Sequence, residues 1–371
     1  MQSLQRLDIG RFDSAEIRKN DECRLVLGEE ESDPKFGHDP LERPMQQYLK
    51  YGFIILDKPA GPTSHEVAAW VRKMFGQERA GYSGTLDPPV SGILPLGLGD
   101  GTKALSALLL GPKEYVCVAR IHDPVPTEDF EKIVFQFIGP IFQRPPQRSS
   151  VKRSTRTREI YQLEVIEKIG NLILLRIMCE AGTYVRKLVY DIGELLIVGA
   201  TMAELRRTRV CHMIEGDMVR LHDLHEAKSN YDETGNELRL RELIRPIEDS
   251  LTFLKQITIR DSAVESICQG AQLAIPGIVS LTKGVVKGEI VRLLSGKGEV
   301  VAIAECQLDG NEIESMEHGI AAITKRVIME AGTYPRMWKS KDETVNQAPD
   351  ISEQMLQRSL LDSLEKEDQN M

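Results

Sequence analysis

The sequence predicts an α+β fold, in which one domain has a mixed, largely antiparallel sheet and a second is a small β-barrel. Three observations support this prediction. Candidate strands and helices are interspersed without the steady strand–helix–strand alternation of a parallel sheet. After residue 255, short β-branched runs separated by glycine recur about every ten residues, which is typical of a barrel. The 371 residues are 41% hydrophobic and 28% charged, ordinary proportions for a globular protein.

The larger unit begins with the run GFIILDKPAG, which reads as a strand that ends at Pro59. Thr63 and Ser64 are candidate N-caps for a helix through HEVAAWVRKMF, because their hydroxyl oxygens can accept from free backbone N–H groups. The next four stretches are predicted as a Gly- and Pro-rich loop, a helix, a strand and a helix: AGYSGTLDPPVSGILPLGLG, TKALSALLL, KEYVCVARIH and residues 127–138. After a basic loop come two strands, YQLEVIEKIG and NLILLRIMCE, and then AGTYVRKLVYDIGELL, a loop that runs into a helix.

A second unit is predicted after Pro246. Its candidate strands are KQITIRD, IPGIVSL, GEIVRLLS and GEVVAIAECQ, and the segment SNYDETGNELRL before them is predicted as a linker or surface excursion. Residues 1–32 are polar and unpatterned, so we expect a flexible arm there. Residues 339–371 are expected to form an acidic, disordered tail, the alternative being a short amphipathic helix around Met355 to Leu364.

The net charge argues against a protein that coats nucleic acid. Lys and Arg number 47 against 56 Asp and Glu, which gives a formal charge of −9. Eight acidic and three basic residues lie in residues 340–371, so five of the nine negative charges belong to the tail and the rest of the chain is close to neutral. Non-specific binding to phosphates requires a basic surface, so any RNA binding should depend on local basic patches.

The sequence suggests neither a membrane nor an oxidising compartment. No apolar run approaches the roughly 18 residues of a membrane span, and the N-terminus lacks a signal-peptide core. The six cysteines are far apart and form no C-x-x-C pair, which argues against a zinc ribbon or a disulfide framework. His222 and His225 are a candidate metal pair, but no further ligand is in register, so surface or capping roles suit them better. We expect an intracellular protein with reduced thiols and no metal.

The most unusual segment is AGYSGTLDPPVSG, which places Asp87 between Gly84 and the pair Pro88–Pro89. Glycine lets a ligand approach the backbone closely and proline fixes φ, so the carboxylate would be held in a rigid turn. Such a carboxylate is suited to nucleophilic or general-base work, because little freedom is lost on reaching the attack geometry. The alternative is an aspartate that only stabilises the turn.

A second candidate constellation lies in GTYVRKL. Tyr184 and Arg186 are two residues apart, so they would share a face if the stretch is extended. Arginine can hold a carboxylate through two hydrogen bonds, and a tyrosine hydroxyl can transfer a proton. The alternative is a surface salt bridge beside a packed tyrosine.

The basic segment, residues 143–158 (QRPPQRSSVKRSTRTR), contains no acidic residue. We predict that it contacts RNA phosphates, the alternative being an ordinary solvated face. Its basic residues are Arg144, Arg148, Lys152, Arg153, Arg156 and Arg158. A second basic patch is predicted in AELRRTRV, at Arg206, Arg207 and Arg209.

Taken in order, the motifs resemble those of a known enzyme family, the TruB-type pseudouridine synthases. The motifs that carry this resemblance are GFIILDKPAGPTSHEVAAWVR, GYSGTLDPPVSGILPLGLGDGTKA, KEYV, CEAGTYVRKLVYDIGELL and AELRRTRV. Four further segments resemble the RNA-guided branch, the archaeal and eukaryotic dyskerin-like H/ACA synthases: FGHDPLERP, FQRPPQRSSVKRSTRTR, DSAVESICQGAQLAIPGIV and HGIAAITKRVIMEAGTYPRMW. The resemblance covers about residues 33–338.

The resemblance implies a role for each matching residue. Asp87 matches the catalytic aspartate, Tyr184 the active-site tyrosine, and Arg186 the arginine that pairs with the aspartate. Tyr115 matches the tyrosine that stacks on the target base, and Leu205 matches an apolar wall of the pocket.

Further implied positions surround this set. Lys58 and Pro59 match a motif that supports the catalytic loop, and we count Lys58 and Tyr82 among the substrate-binding positions. The family usually has a histidine where this chain has Tyr82, a position expected near the flipped nucleotide, so this departure bears on substrate positioning. The implied domains are an N-terminal segment over residues 33–50 that packs on the barrel, a pseudouridine synthase domain over residues 51–250 and an RNA-binding PUA barrel over residues 253–338.

The implied reaction breaks the N-glycosidic bond of uridine, turns the uracil and rejoins it through carbon, so we expect no cofactor. A base must leave its stack to react, which gives an aromatic platform a direct function. The implied partners are an H/ACA guide RNA, substrate rRNA and small H/ACA accessory proteins including a kink-turn-binding protein, without a membrane. The expected location is cytoplasmic if the source is archaeal and nucleolar if it is eukaryotic.

Two alternatives to a guided synthase are kept. The first is a stand-alone tRNA pseudouridine-55 synthase that reads its substrate unaided. The second is a PUA-bearing RNA-binding scaffold without activity. The second is disfavoured because Asp87, Tyr115, Tyr184 and Arg186 are all present.

Overall fold

The computed structural model describes residues 23–29, 32–109, 111–144 and 154–336. In these ranges helices pack on two sheets in which most neighbouring strands are antiparallel, so the predicted α+β class is confirmed. The acidic tail and three predicted RNA contacts, Arg148, Lys152 and Arg153, lie outside the described residues. Within the described ranges, no helix combines the length and the apolar character needed to cross a bilayer.

The chain begins with β1 (Arg24–Val26), and the next ten strands form the larger sheet. They are β2 (Gly52–Lys58), β3 (Ala80–Tyr82), β4 (Ser91–Leu98), β5 (Lys113–Ile121), β6 (Gly139–Gln143), β7 (Arg156–Ile169), β8 (Leu172–Cys179), β9 (Ala200–Val210), β10 (Met213–Ile214) and β11 (Arg245–Pro246). Their order is β11-β2-β4-β9-β5-β8-β7-β6, with β3 paired to β4 and β10 to β9. Because β4 and β9 run parallel and place Gly92 beside Arg207, the segment after Asp87 lies against β9.

Eight α-helices lie in the described residues. They are α1 (Met45–Lys50), α2 (Ser64–Met74), α3 (Thr127–Phe135), α4 (Val185–Leu195), α5 (Leu221–Thr234), α6 (Leu238–Leu243), α7 (Asp261–Cys268) and α8 (Gly310–Ser315). Helix α2 begins at the predicted cap, since the Thr63 hydroxyl accepts from the Glu66 N–H at 3.1 Å and the Glu66 carboxylate accepts from the Thr63 N–H at 2.7 Å. This reciprocal pairing satisfies two backbone groups that the helix itself leaves open.

The smaller sheet forms the C-terminal β-unit (residues 256–327). Its strands are β12 (Gln256–Ile259), β13 (Leu273–Ala274), β14 (Ile278–Thr282), β15 (Ile290–Leu294), β16 (Val300–Cys306) and β17 (Ile320–Val327). With β1 the order is β1-β14-β12-β15-β16-β17-β13. The prediction of a flexible arm over residues 1–32 is wrong at residues 24–26, because Leu25 packs on the apolar core of this unit and β1 completes the edge of its sheet.

Residues 32–37 continue along the C-terminal β-unit. The Asp261 carboxylate accepts from the Ser32 hydroxyl and from the Asp33 N–H, both at 2.9 Å. The rings of Phe36 and Tyr334 lie 6.5 Å apart. The N-terminal segment is therefore bound to this unit through both polar and aromatic contacts.

The two units share one apolar cluster. Phe53 of β2 is packed in the same buried cluster as Leu294 and Val300 of the C-terminal β-unit. Beside it, the buried guanidinium of Arg43 donates to both carboxylate oxygens of Glu248 at 3.0 and 2.7 Å, and Glu248 accepts from the Val300 N–H at 2.9 Å. A buried ion pair with further hydrogen bonds is geometrically demanding, so these contacts fix how the units meet.

Three local predictions are wrong. The Gly- and Pro-rich stretch after residue 79 contains β3 and β4 as well as a loop, because its glycines let neighbouring backbone come close. The predicted helix TKALSALLL forms short 3₁₀ turns at Gly99–Ala104 and Ala107–Leu109. The predicted linker SNYDETGNELRL forms the end of α5 and the first half of α6, with Gly235 at φ 72° ending α5.

Candidate active site

Asp87 lies in a loop between β3 and β4, the Asp87 loop (residues 83–90), whose backbone is held from the protein interior. Every second carbonyl along it accepts a hydrogen bond from a side chain of another element. These bonds are Gly84 from Arg207 (2.8 Å), Leu86 from Ser64 (3.0 Å), Pro88 from Lys58 (3.1 Å) and Val90 from Lys58 (2.8 Å). The Asp87 side chain is itself 55% exposed. The loop therefore presents an open carboxylate on a fixed backbone.

Ser64 is part of this support, although the sequence suggested only a capping role for it. Thr63 is the N-cap of α2, and the buried Ser64 hydroxyl binds the Asp87 loop instead. It accepts from the Leu86 N–H at 2.9 Å as well as donating to the Leu86 carbonyl. Both backbone groups of the second residue before the Pro88–Pro89 pair are thereby satisfied.

Lys58 is fully buried at the end of β2. Its ammonium has three donors, and they bind the carbonyl oxygens of Pro59, Pro88 and Val90. Burial lowers the pKa of Lys58, while the nearby Asp87 carboxylate acts in the opposite direction. These bonds support the loop, and the assignment of Lys58 to the substrate-binding positions stays a prediction.

Arg207 is 1% exposed and lies behind the same loop, so the predicted second basic patch is wrong at this residue. Its Nε donates to the Ile93 carbonyl at 2.8 Å, in addition to the bond to Gly84. A Cβ at Gly92 would lie 2.2 Å from the Arg207 carbonyl oxygen, which explains the glycine there. Neighbouring Arg206 points to the other face of the strand and pairs with Asp57 at 2.9 Å.

The carboxylate of Asp87 is paired with Arg186, whose Nη2 lies 2.7 Å from Asp87 Oδ2. Arg186 is in the first turn of α4, and Tyr184 is its N-cap with φ −95° and ψ 97°. The expectation that Tyr184 and Arg186 share one face of an extended stretch is therefore wrong, because the helix begins at Val185. The start of α4 nevertheless delivers the arginine to the Asp87 loop.

Tyr115 and Leu205 lie on the adjacent strands β5 and β9. Tyr115 on β5 is opposite Arg207 on β9, and Gly92 on β4 is on the other side of Arg207. Burial raises the pKa of Tyr115, and the Arg207 guanidinium opposes this shift. Leu205 and Tyr115 each pack, partly buried, against the same apolar cluster. Tyr82 on β3 packs against a different cluster.

The described part of the basic segment is divided in its contacts. Arg144 is exposed at the exit of β6, and Arg156 opens β7 and is half-buried. Arg158 Nη1 lies 3.5 Å from Glu180 Oε1, so a carboxylate already neutralises part of its charge. Arg144 and Arg156 are thus better placed than Arg158 to meet a phosphate.

The sequence does not predict three buried side chains that bind the backbone of the site. They are Ser64 and Arg207, which bind the Asp87 loop, and Gln143. Gln143 is 2% exposed and binds the backbone of Tyr184 through both ends of its carboxamide. The sequence gives little indication of these residues, because a single buried polar side chain does not produce a repeating pattern of polar and apolar positions. Within the described residues, no group of three His, Cys, Asp or Glu side chains is arranged to hold a metal ion, and His222 and His225 are exposed on α5.

This geometry suits attack on, or stabilisation of, an electrophilic carbon. A carboxylate on a fixed loop loses little freedom on reacting, and its arginine partner orients it through a charge-assisted hydrogen bond. An aromatic ring such as that of Tyr115 is the kind of surface on which an unstacked base can stack.

The chain matches four family models over most of its length. They are described as the TruB family pseudouridylate synthase N-terminal domain (residues 72–185), the tRNA pseudouridylate synthase B C-terminal domain (residues 186–252), the PUA domain (residues 255–328) and the DKCLD (NUC011) domain (residues 15–68).

Curated relatives and solved structures agree with these matches. The chain is 48% identical to a "Probable tRNA pseudouridine synthase B" of Methanopyrus kandleri over 85% of this chain and 94% of the relative, and 47% identical to one of Methanosarcina acetivorans over 85% and 93%. It is similar to a chain in an H/ACA RNP bound to a substrate RNA containing 2'-deoxyuridine, with TM-score 0.79, 40% identity and coverage of 85% and 97%. It is also similar to a chain in a Cbf5-Nop10-Gar1 complex, with TM-score 0.79, 42% identity and coverage of 84% and 95%.

Proposed function

The chain belongs to the TruB family of pseudouridine synthases, and on that premise we propose that it is the catalytic subunit of an H/ACA guide-RNA particle that converts uridine to pseudouridine in rRNA. Its partners are a guide RNA, the substrate rRNA and small accessory proteins, including one that binds a kink-turn. Likeness to chains solved within H/ACA particles supports this assignment over a stand-alone tRNA synthase, the activity that the names of the curated relatives favour.

The observation that carries the proposal is the pairing of Asp87 with Arg186 on a loop fixed by interior donors. Asp87 acts as the nucleophile or as the stabilising anion during cleavage of the glycosidic bond, and Arg186 orients it. Tyr184 moves the proton at the uracil ring, while Tyr115 stacks on the flipped base and Leu205 closes the apolar side of the pocket. No step in this scheme calls for a redox or group-transfer cofactor.

RNA is held by other parts of the chain. Arg144 and Arg156, with the rest of the basic segment, contact phosphates of the substrate. The PUA domain (residues 253–338), supported by residues 33–50, anchors the guide RNA. The synthase domain (residues 51–250) receives the target uridine, and Tyr82 lies at the edge of that path. Likeness to proteins of Methanopyrus and Methanosarcina, organisms without a nucleus, favours a cytoplasmic location.

The experiment that tests this proposal is a reconstitution with defined components. The purified protein is mixed with an rRNA fragment, with or without a matching guide RNA and accessory proteins, and pseudouridine is quantified at the target uridine. We expect modification only when the guide is present. Modification of tRNA but not of rRNA, independent of any guide, would establish the stand-alone alternative instead.

A further inference from the structure

Gln143 links the basic segment to the backbone of the candidate catalytic tyrosine. It is the last residue of β6 and directly precedes Arg144. Its Nε2 donates to the Tyr184 carbonyl at 3.1 Å, and its Oε1 accepts from the Tyr184 N–H at 2.9 Å. The side-chain amide therefore binds one residue through both of its backbone groups, as a neighbouring strand would.

The other end of the basic segment holds the same turn. The Glu180 carboxylate accepts from the Glu159 N–H at 3.1 Å and lies 3.5 Å from the Arg158 guanidinium. The 180–184 turn is closed on itself by the Thr183 N–H, which donates to the Glu180 carbonyl at 3.2 Å. The two described ends of the basic segment, at Gln143 and at Arg158, are thus attached to the turn that leads into α4.

The position of Tyr184 depends on this attachment. It caps α4 without a side-chain capping bond, and its N–H lies outside the hydrogen-bond pattern of the helix. A backbone N–H in a partly buried position needs a partner, and Gln143 supplies it from a side chain that is itself 2% exposed. Rotation of the peptide at Tyr184 would break this bond and turn the tyrosine ring away from its present direction.

We propose that Gln143 is a positioning residue for Tyr184, and that the 180–184 turn couples RNA held at Arg144 and Arg156 to the geometry of the active site. This inference rests on the proposed function. Gln143 touches neither the substrate nor the reacting atoms, so its effect is on the rate at which bound RNA reacts and not on how tightly RNA binds.

The first test compares Gln143→Leu with Gln162→Leu in the reconstituted guided particle. Gln162 is exposed on β7, so the control makes the same exchange away from the turn. The measurements are the single-turnover rate of pseudouridine formation, the Kd for substrate RNA and the Tm of the protein. We expect Gln143→Leu to lower the rate on the order of 10- to 100-fold, the effect of a small displacement at a reacting group, with the Kd changed less than about twofold. The control should match the wild type.

A second variant tests the hydrogen bonds directly through pH. In Gln143→Glu the introduced carboxyl can still accept from the Tyr184 N–H, but only its protonated form can donate to the Tyr184 carbonyl. The charged groups around this position are Arg144, Arg156, Arg158, Glu159, Glu180 and Lys187. They are shared with the wild type and cancel in the ratio of the two rates. Burial raises the pKa of the introduced carboxyl above its ordinary value of about 4.3. We therefore expect the wild-type rate to exceed the variant rate by a factor that grows to about tenfold as the pH rises through that pKa, with the two rates compared from pH 4 to pH 8.

The outcomes separate this inference from the proposed function. A wild-type particle without guided activity would overturn the proposed function. An active wild type with Gln143→Leu at the same rate, or with a rate loss fully explained by weaker RNA binding or a smaller folded fraction, would overturn the inference. If Gln143→Leu does not fold, Gln143→Glu decides alone, and a rate ratio that is constant across the pH range counts against the proposed coupling.

Discussion

Arg186 and Asp87 form an ion pair at 2.7 Å although 99 residues separate them in the chain. The pair joins the first turn of α4 to the loop between β3 and β4 at an exposed position. Exposed ion pairs contribute little to stability, so the value of this contact lies in the orientation of the carboxylate.

Replacement of Asp87 by Asn tests its role as the reacting group. The substitution keeps the shape of the side chain and removes its charge, so we expect pseudouridine formation to be lost while the Tm and the Kd for RNA stay near the wild-type values. Arg186→Lys should lower the rate on the order of 100-fold, because an ammonium cannot reproduce the planar guanidinium fork. Activity of more than about a few per cent in Asp87→Asn would refute its assignment as the nucleophile.

Removal of the buried ammonium of Lys58 should damage both stability and activity. Lys58→Met removes the donor from three carbonyl oxygens. That of the buried Val90 has no other donor among the described residues, whereas that of Pro88 keeps the Gly61 N–H, and a buried unsatisfied group costs about 1–3 kcal/mol. We expect a clear fall in the free energy of unfolding and a slower reaction in the fraction that folds. The control is Lys73→Met, on the exposed side of α2, which should change neither quantity. Equal stability of the two variants in urea would show that the Lys58 bonds contribute nothing net.

The glycine after the Asp87 loop is required for space as well as for its backbone angle. Gly92 has φ 102° and Gly61 has φ 114°, so alanine is strained at both. A Cβ at Gly92 would meet the Arg207 carbonyl at 2.2 Å, whereas nothing lies within 4 Å of one at Gly61. Gly92→Ala should therefore lower the free energy of unfolding by about 1–3 kcal/mol more than Gly61→Ala, as measured by urea denaturation. A similar loss of unfolding free energy in both variants would show that backbone strain accounts for the effect and that the close approach to Arg207 adds nothing.

Salt dependence of RNA binding should identify which arginines meet phosphates. Each phosphate contact removed makes the slope of log K against log salt shallower by about 0.7–0.9. We expect this change for Arg144→Ala and for Arg156→Ala, and a smaller one for Arg158→Ala because Glu180 already pairs with that side chain. Arg176→Ala, at an exposed ion pair with Glu164, is the control. An unchanged slope in both of the first two variants would move the RNA-binding surface elsewhere.

Stability should fall at acidic pH through His212. The ring stacks on Phe253 and burial lowers its pKa to about 4, against an ordinary value of 6.5. The folded protein therefore binds this proton less readily than the unfolded chain does, so the neutral ring stabilises fully above pH 6.5 and this contribution is lost as the pH falls toward 4. In His212→Gln the fall in unfolding free energy between pH 7 and pH 4.5 should shrink by roughly 2–3 kcal/mol. An identical pH dependence in both proteins would contradict this account.

The sequence predicts the fold best where the pattern is regular. GFIIL is apolar throughout because this part of β2 is buried on both faces, and Thr63 begins α2 through a local capping pair. The stretch that forms β4 defeats prediction because its glycines and proline are typical of loops. These glycines are required by tertiary contacts, because Gly92 lies against the backbone of β9 and Gly97 against the backbone of the turn at Gly101. A local sequence pattern does not show such contacts.

The sequence likewise predicts some residues of the candidate site and not others. Asp87 could be singled out because Gly and Pro around an acidic residue are unusual, and the pairing with Arg186 followed from the family resemblance. The interior donors could not be found, because consecutive arginines in a strand alternate between faces and the sequence does not say which one is inside. The sequence therefore predicts that Arg207 belongs to a basic surface patch, whereas its side chain is buried behind the loop.

The apolar cluster shared by the two units, with Phe53 on one side and Leu294 and Val300 on the other, removes the hinge that a linker between domains would provide. The distance from the C-terminal β-unit, to which the proposed function assigns the anchoring of the guide, to Asp87 is then fixed by the packing of the two units. Guides whose stems differ by a base pair must absorb the difference by bending or unpairing of the RNA. Natural guides for such a particle should accordingly keep one spacing between the anchored end and the target uridine.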